Sequence, residues 1–110
     1  MAKICFDIDD TIAKIIKQEN NYVQAPDYDL IQVMRWFINN GDEVYAWSAG
    51  GVDYTESWLR KLGLFDQVKA IPKVGWDTNK EDFEIDIAFD DCETNLGKVN
   101  ILVKREPREE

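Results

Sequence analysis

The sequence contains no histidine. That absence removes imidazole general bases, serine–histidine and cysteine–histidine nucleophile pairs, and histidine-ligated zinc. Cysteine is scarce as well: Cys5 and Cys92 lie far apart and form no metal-ligand pair in that spacing. They fit a reduced, cytoplasmic setting. No apolar run approaches the roughly 18 residues that a membrane-spanning helix needs, so no membrane partner is expected. The N-terminal "MAKICFDIDD" carries one lysine and then acids, which is not the pattern of a signal peptide. Basic residues are the minority sign, 13 against 22 acids for a formal charge of -9. Such a surface repels polyanions and disfavours non-specific nucleic-acid binding. Whatever chemistry remains must run on carboxylates, lysine, hydroxyls or a hard metal ion.

What is present is enough to fold. Of the 110 residues 45% are apolar and 12% aromatic, so the chain is not a disordered acidic tail but one domain with one packed core. The expected domain runs over residues 1–104, with a charged, frayed tail at 105–110. Residues 3–8 are an apolar run ending in acids, the pattern of a buried strand. "TIAKIIKQ" reads as a short amphipathic turn, followed by a loop that closes at Pro26. "YDLIQVMRWFINNG" spaces Leu30, Ile31, Val33, Met34, Phe37 and Ile38 on a helical period and stops at Asn39-Asn40-Gly41.

"EVYAWS" is a second buried strand, and Asp53 with Glu56 three residues on reads as a capping box opening a helix that ends at Gly63. Short apolar runs at 68–71, 85–89 and 100–103 complete five strands. Strands alternating with helices predict an α/β fold: a parallel sheet whose ligands sit beyond the carboxyl ends of its strands.

That rule gives the polar residues their meaning. Asp7 and Asp9 close the first strand, Ser48 the second, and Asp90 and Asp91 the fourth. Each has a structural explanation when taken alone. Asp10 or Thr11 serves as a helix N-cap, Ser48-Ala49-Gly50-Gly51 as a turn, and "FDDCE" as a solvated loop. Taken together, they crowd acids at one edge with no arginine nearby in sequence, which destabilises a fold unless a cation fills the gap. A hard, oxygen-liganded ion such as Mg²⁺ answers that charge.

"CFDIDDTI" resembles the first motif of the haloacid dehalogenase-like (HAD) superfamily: an apolar strand, then Asp, any residue, Asp, any residue, Thr. "EVYAWSAGG" is similar to its second motif and "IDIAFDD" to its fourth, and the resemblance spans residues 3–91. It implies a three-layer, Rossmann-like parallel sheet with helices on both faces. It implies an Mg²⁺-dependent phosphatase that works through an aspartyl-phosphate on a phosphorylated small molecule or nucleotide. Asp7 would be the nucleophile, and Asp9 would protonate the leaving oxygen and then activate water. Ser48, with Ala49, would bind the phosphoryl oxygens. The phosphate-binding lysine would be Lys73 or Lys80, with Lys73 favoured because it follows the third strand directly. Mg²⁺ would be held by Asp7, Asp90 and Asp91, with Asp9 contributing its main-chain carbonyl.

Members of the family often carry a cap domain, but positions 11–45 and 49–67 leave room for one helix each, so no cap is expected. Residues 12–27 are the only expected flap. The rival readings are a receiver domain, a non-catalytic module that binds phosphate or metal, and a polynucleotide or nucleotide end phosphatase. A receiver would carry its phosphoacceptor after the third strand, and no Asp follows "VKAIPK" directly. A polynucleotide site would show a basic stripe beyond Arg60, Lys61, Lys69, Lys73 and Lys80.

Overall fold

Alternation along one strand organises the interior. In the computed structural model, which describes residues 1–73 and 83–105, that strand is β1 (Lys3–Asp7). It is followed by β2 (Ala13–Gln18), β3 (Asn21–Pro26), α1 (Tyr28–Asn39), β4 (Glu43–Trp47), α2 (Val52–Lys61), β5 (Lys69–Ala70), β6 (Ile87–Asp90) and β7 (Val99–Leu102). Five of the strands form one sheet in the order β5-β4-β1-β6-β7, with every neighbouring pair parallel. The molecule is thus a small α/β domain, as the strand–helix alternation predicts.

Successive side chains on a strand face opposite sides. Ile4, Phe6 and Ile8 therefore join one apolar cluster and Cys5 another. The first cluster holds Ile31 and Met34 of α1 and Trp58 and Leu59 of α2, so both helices cover the same face. Its centre is the stack of Phe6 on the paired residue Phe89, with ring centroids 4.5 Å apart. The second face is covered by Ile71, Ile85 and Leu96, with Phe83 packed beside them. Among the described residues, no helix is long and apolar enough to cross a membrane.

Helix α1 begins where Asp27 accepts the Leu30 N–H at 3.1 Å, and it ends at Asn40 before Gly41, whose φ is 87°. Of its six periodic apolar residues, Val33 is turned outward, beside the exposed Trp36. The stripe that packs is narrower than the spacing implied. Helix α2 departs from expectation at its start. No capping box forms: Gly51, at φ 101°, is the N-cap, and no side chain caps the helix. Asp53 lies inside the first turn instead, where a negative charge meets the positive end of the helix dipole.

The larger correction concerns residues 13–26. They are neither helical turn nor loop but an antiparallel hairpin, paired from Ala13↔Pro26 to Gln18↔Asn21 and separate from the main sheet. Ile15, Ile16, Tyr22 and Val23 are β-branched or aromatic, and a single helical turn of that length is not stable alone. The helix N-cap role for Asp10 or Thr11 falls with it, since no helix follows. Asp10 instead takes φ 58° and accepts the Ile15 N–H at 3.0 Å as the hairpin opens.

Candidate active site

Parallel strands deliver their carboxyl ends to one edge. With β4 and β6 flanking β1, the ends that carry Ser48, Asp7 and Asp90 become neighbours. Register then sorts the side chains. Asp7 pairs with Trp47 and follows Cys5 by two, and Asp90 follows Ala88 by two, so both acids lie on the face of the second cluster. Ser48 follows Ala46 and belongs to the helix-covered face. Two polar clusters result.

In the first, Lys73 stands between the two strand-end acids. Its Nζ is 3.1 Å from Asp7 Oδ1 and 2.7 Å from Asp90 Oδ2, and all three side chains are less than a tenth exposed, at 9%, 7% and 3%. Asp90 Oδ1 accepts the Cys92 N–H at 3.0 Å. The Asp91 carboxyl lies close enough to Asp7 and Asp90 to feel both, and Thr11 Oγ1 reaches Asp7 Oδ2 at 3.4 Å. Burial, reinforced by the Asp90 charge, pushes the Asp7 carboxyl up to about 7 against the pull of Lys73. Burial and Asp90 raise Asp91 in the same way. Burial works against the Lys73 charge, but Asp7 and Asp90 outweigh it and hold its pKa above the ordinary value.

The second cluster centres on Asp9. Its Oδ1 accepts the Tyr54 hydroxyl at 2.5 Å and Gln24 Nε2 at 2.6 Å, and its Oδ2 accepts Ser48 Oγ at 3.3 Å. The Gly50 N–H donates back to Ser48 Oγ at 3.0 Å, and Trp58 Nε1 donates to the Tyr54 oxygen at 3.2 Å. Burial and then the bond to Asp9 push the Tyr54 phenol up, which keeps it a donor.

The structure therefore brings Asp7, Lys73, Asp90 and Asp91 together, and Asp9 with Ser48 beside them. The Asp9 carboxylate faces Ser48, Tyr54 and Gln24 rather than the other acids, so any share it takes in a cation falls to its main chain. Ala49 opens an exposed turn directly after Ser48. Lys80, the alternative lysine, lies outside the described residues.

The donor set suits a hard cation. Asp7, Asp90 and Asp91 supply carboxylate oxygens against one ammonium, an excess of negative charge in a largely buried place, and oxygen-rich sites of this kind suit Mg²⁺. Among the described residues, the ligand atoms that lie within 4.8 Å of one another belong to Asp90, Asp91 and Cys92, a group without Asp7, and its thiol is too soft a ligand for such an ion.

Three participants were not visible as site residues in the sequence: Gln24, Tyr54 and Arg105. Arg105, expected in the frayed tail, is anchored. Its Nε donates to the Asp10 carbonyl at 2.6 Å, a second nitrogen to the Thr11 carbonyl, and a third pairs with Asp27 Oδ2 at 2.8 Å. The guanidinium thereby ties the entry of the hairpin to its exit. No family model, curated protein or solved structure matches the chain.

Proposed function

We propose that this chain is an Mg²⁺-dependent phosphohydrolase of the HAD-like superfamily, acting on a phosphate monoester through an aspartyl-phosphate. One observation carries the reading: Lys73 bridges Asp7 and Asp90 at adjoining strand ends, with Asp9 and Ser48 on the neighbouring side. The same reading extends the fold to a three-layer, Rossmann-like arrangement without a cap domain, and the setting to the cytoplasm.

Hydrolysis of a phosphate monoester in water is very slow, and its catalysis depends on positioning and charge neutralisation. A carboxylate nucleophile divides the reaction into two easier steps. An Asp7 oxygen bonds to phosphorus as the bond to the leaving oxygen breaks, and Asp9 gives that oxygen its proton. Asp9 then takes a proton from water. The hydroxide bonds to phosphorus, the bond to Asp7 breaks, and inorganic phosphate leaves with both carboxyl groups restored. Lys73 and Ser48 hold the phosphoryl oxygens. Asp7, Asp90 and Asp91 would hold Mg²⁺, whose positive charge would let a carboxylate approach a dianion.

Phosphate release from p-nitrophenyl phosphate and from a panel of phosphorylated metabolites and nucleotides, with Mg²⁺ and with EDTA, tests the reading. Turnover that requires Mg²⁺ and disappears in Asp7→Asn is the expected result. Unchanged turnover in Asp7→Asn, or none on any substrate, overturns it.

A further inference from the structure

We infer that Tyr54 and Gln24 are positioning residues for Asp9: they fix its Oδ1 and leave Oδ2 as the oxygen presented to the leaving group. The inference rests on the phosphohydrolase reading and concerns residues to which that reading gives no part.

Asp9 lies beyond the end of β1, in the loop that opens the hairpin, so the sheet does not hold its side chain. The described contacts that orient the carboxylate come from elsewhere in the chain. Tyr54 comes from α2, and its ring occupies a slot that exists because residue 50 is glycine. A Cβ there would stand 3.0 Å from Tyr54 Cδ2 and 3.2 Å from Cγ. Behind the ring, the core residue Trp58 donates its indole N–H to the Tyr54 oxygen. Indole N–H is a donor only, so the phenol oxygen must accept there, and its own proton is free to point at Asp9. Relays of this kind strengthen each bond in the chain.

Gln24 supplies the second donor from β3. From the hairpin it reaches both Asp9 and Tyr54. Both short bonds, at 2.5 and 2.6 Å, fall on Oδ1, whereas the contact to Oδ2 among the described residues is the longer one from Ser48, at 3.3 Å. Ser48 is the residue expected to hold the phosphoryl oxygens, so the lightly held Oδ2 faces the side from which a leaving group departs.

The test uses two esters that differ in their need for a proton. p-Nitrophenolate leaves readily without one, whereas an alkoxide such as that of glycerol 1-phosphate does not. Tyr54→Phe keeps the ring and removes the donor. Misplacing a reacting group costs up to about a hundredfold in rate, so the ratio of alkyl to p-nitrophenyl kcat should fall on the order of tenfold or more. KM should move little. Gly50→Ala, which displaces the ring, and Gln24→Ala, on the exposed hairpin, should lower the same ratio by less. Gln24→Ala also keeps the test intact if Tyr54→Phe does not fold. An equal loss on both esters marks a merely structural role and overturns the inference, as does no loss on either, while the phosphohydrolase reading stands. Absence of Mg²⁺-dependent hydrolysis by the unaltered chain overturns both.

Discussion

Lys73 joins the two buried strand-end acids of the candidate site. It is the cation between two buried carboxylates, and removing one partner of such a set leaves uncompensated charge. Lys73→Met should therefore destabilise the fold in EDTA by roughly 3–5 kcal/mol, with part of the loss recovered in Mg²⁺. Urea denaturation of both proteins in both buffers reads this directly. The two acids of "DID" separate kinetically: Asp7→Asn should abolish turnover, and Asp9→Asn should slow it by about 10²- to 10⁴-fold, the range for loss of a general acid–base group. Steady-state rates on p-nitrophenyl phosphate distinguish the two outcomes. Asp7, Ser48, Lys73 and Asp90 were legible because each ends or directly follows an apolar run, and a parallel sheet gathers such ends. Tyr54 and Gln24 were not legible. They meet Asp9 across 45 and 15 positions of chain, and nothing local marks a residue whose task is set by a distant neighbour.

Among the elements, β1, β4, α1 and α2 follow from periodicity, while the hairpin does not. "TIAKIIKQ" carries apolar residues at spacings that suit a turn of helix as well as a strand, and pairing with residues 21–26 decides between them. The base of that hairpin is where Arg105 meets Asp27. Burial alone disfavours the Asp27 charge, but the Leu30 N–H and the Arg105 guanidinium hold its carboxyl below the ordinary range. A carboxyl whose pKa is lowered in the folded state adds stability above its unfolded pKa, about 3.9, and loses it as pH falls through the folded value. Asp27→Asn keeps an oxygen to cap α1 and removes the charge. It should cost about 1 kcal/mol at pH 7, and the deficit should shrink as pH falls below about 4. Thermal melts of the two proteins from pH 7 to pH 3 check the sign. A deficit that grows in acid contradicts the pairing.

For the molecule as a whole, five parallel strands place three polar strand ends side by side, and the crowding of acids makes sense only at that scale. The sequence shows the apolar runs of the main sheet, but it does not show their order in that sheet. That order, β5-β4-β1-β6-β7, is what turns separated acids into neighbours. A ligand that binds only the native state raises stability by about 2.7 kcal/mol at a hundredfold excess over its dissociation constant. Mg²⁺ should accordingly raise the melting temperature over that in EDTA, and an Asp90→Asn, Asp91→Asn double variant should lose most of that rise.

The most direct test of the proposed phosphoryl transfer is to trap the phosphoryl group. Asp9→Asn, incubated with acetyl phosphate and Mg²⁺ and quenched in acid, should carry one phosphoryl group on the peptide containing Asp7 by mass spectrometry. The same treatment in EDTA should leave that peptide unmodified. A phosphoryl group on another residue, or none on Asp7 with Mg²⁺ present, contradicts the account.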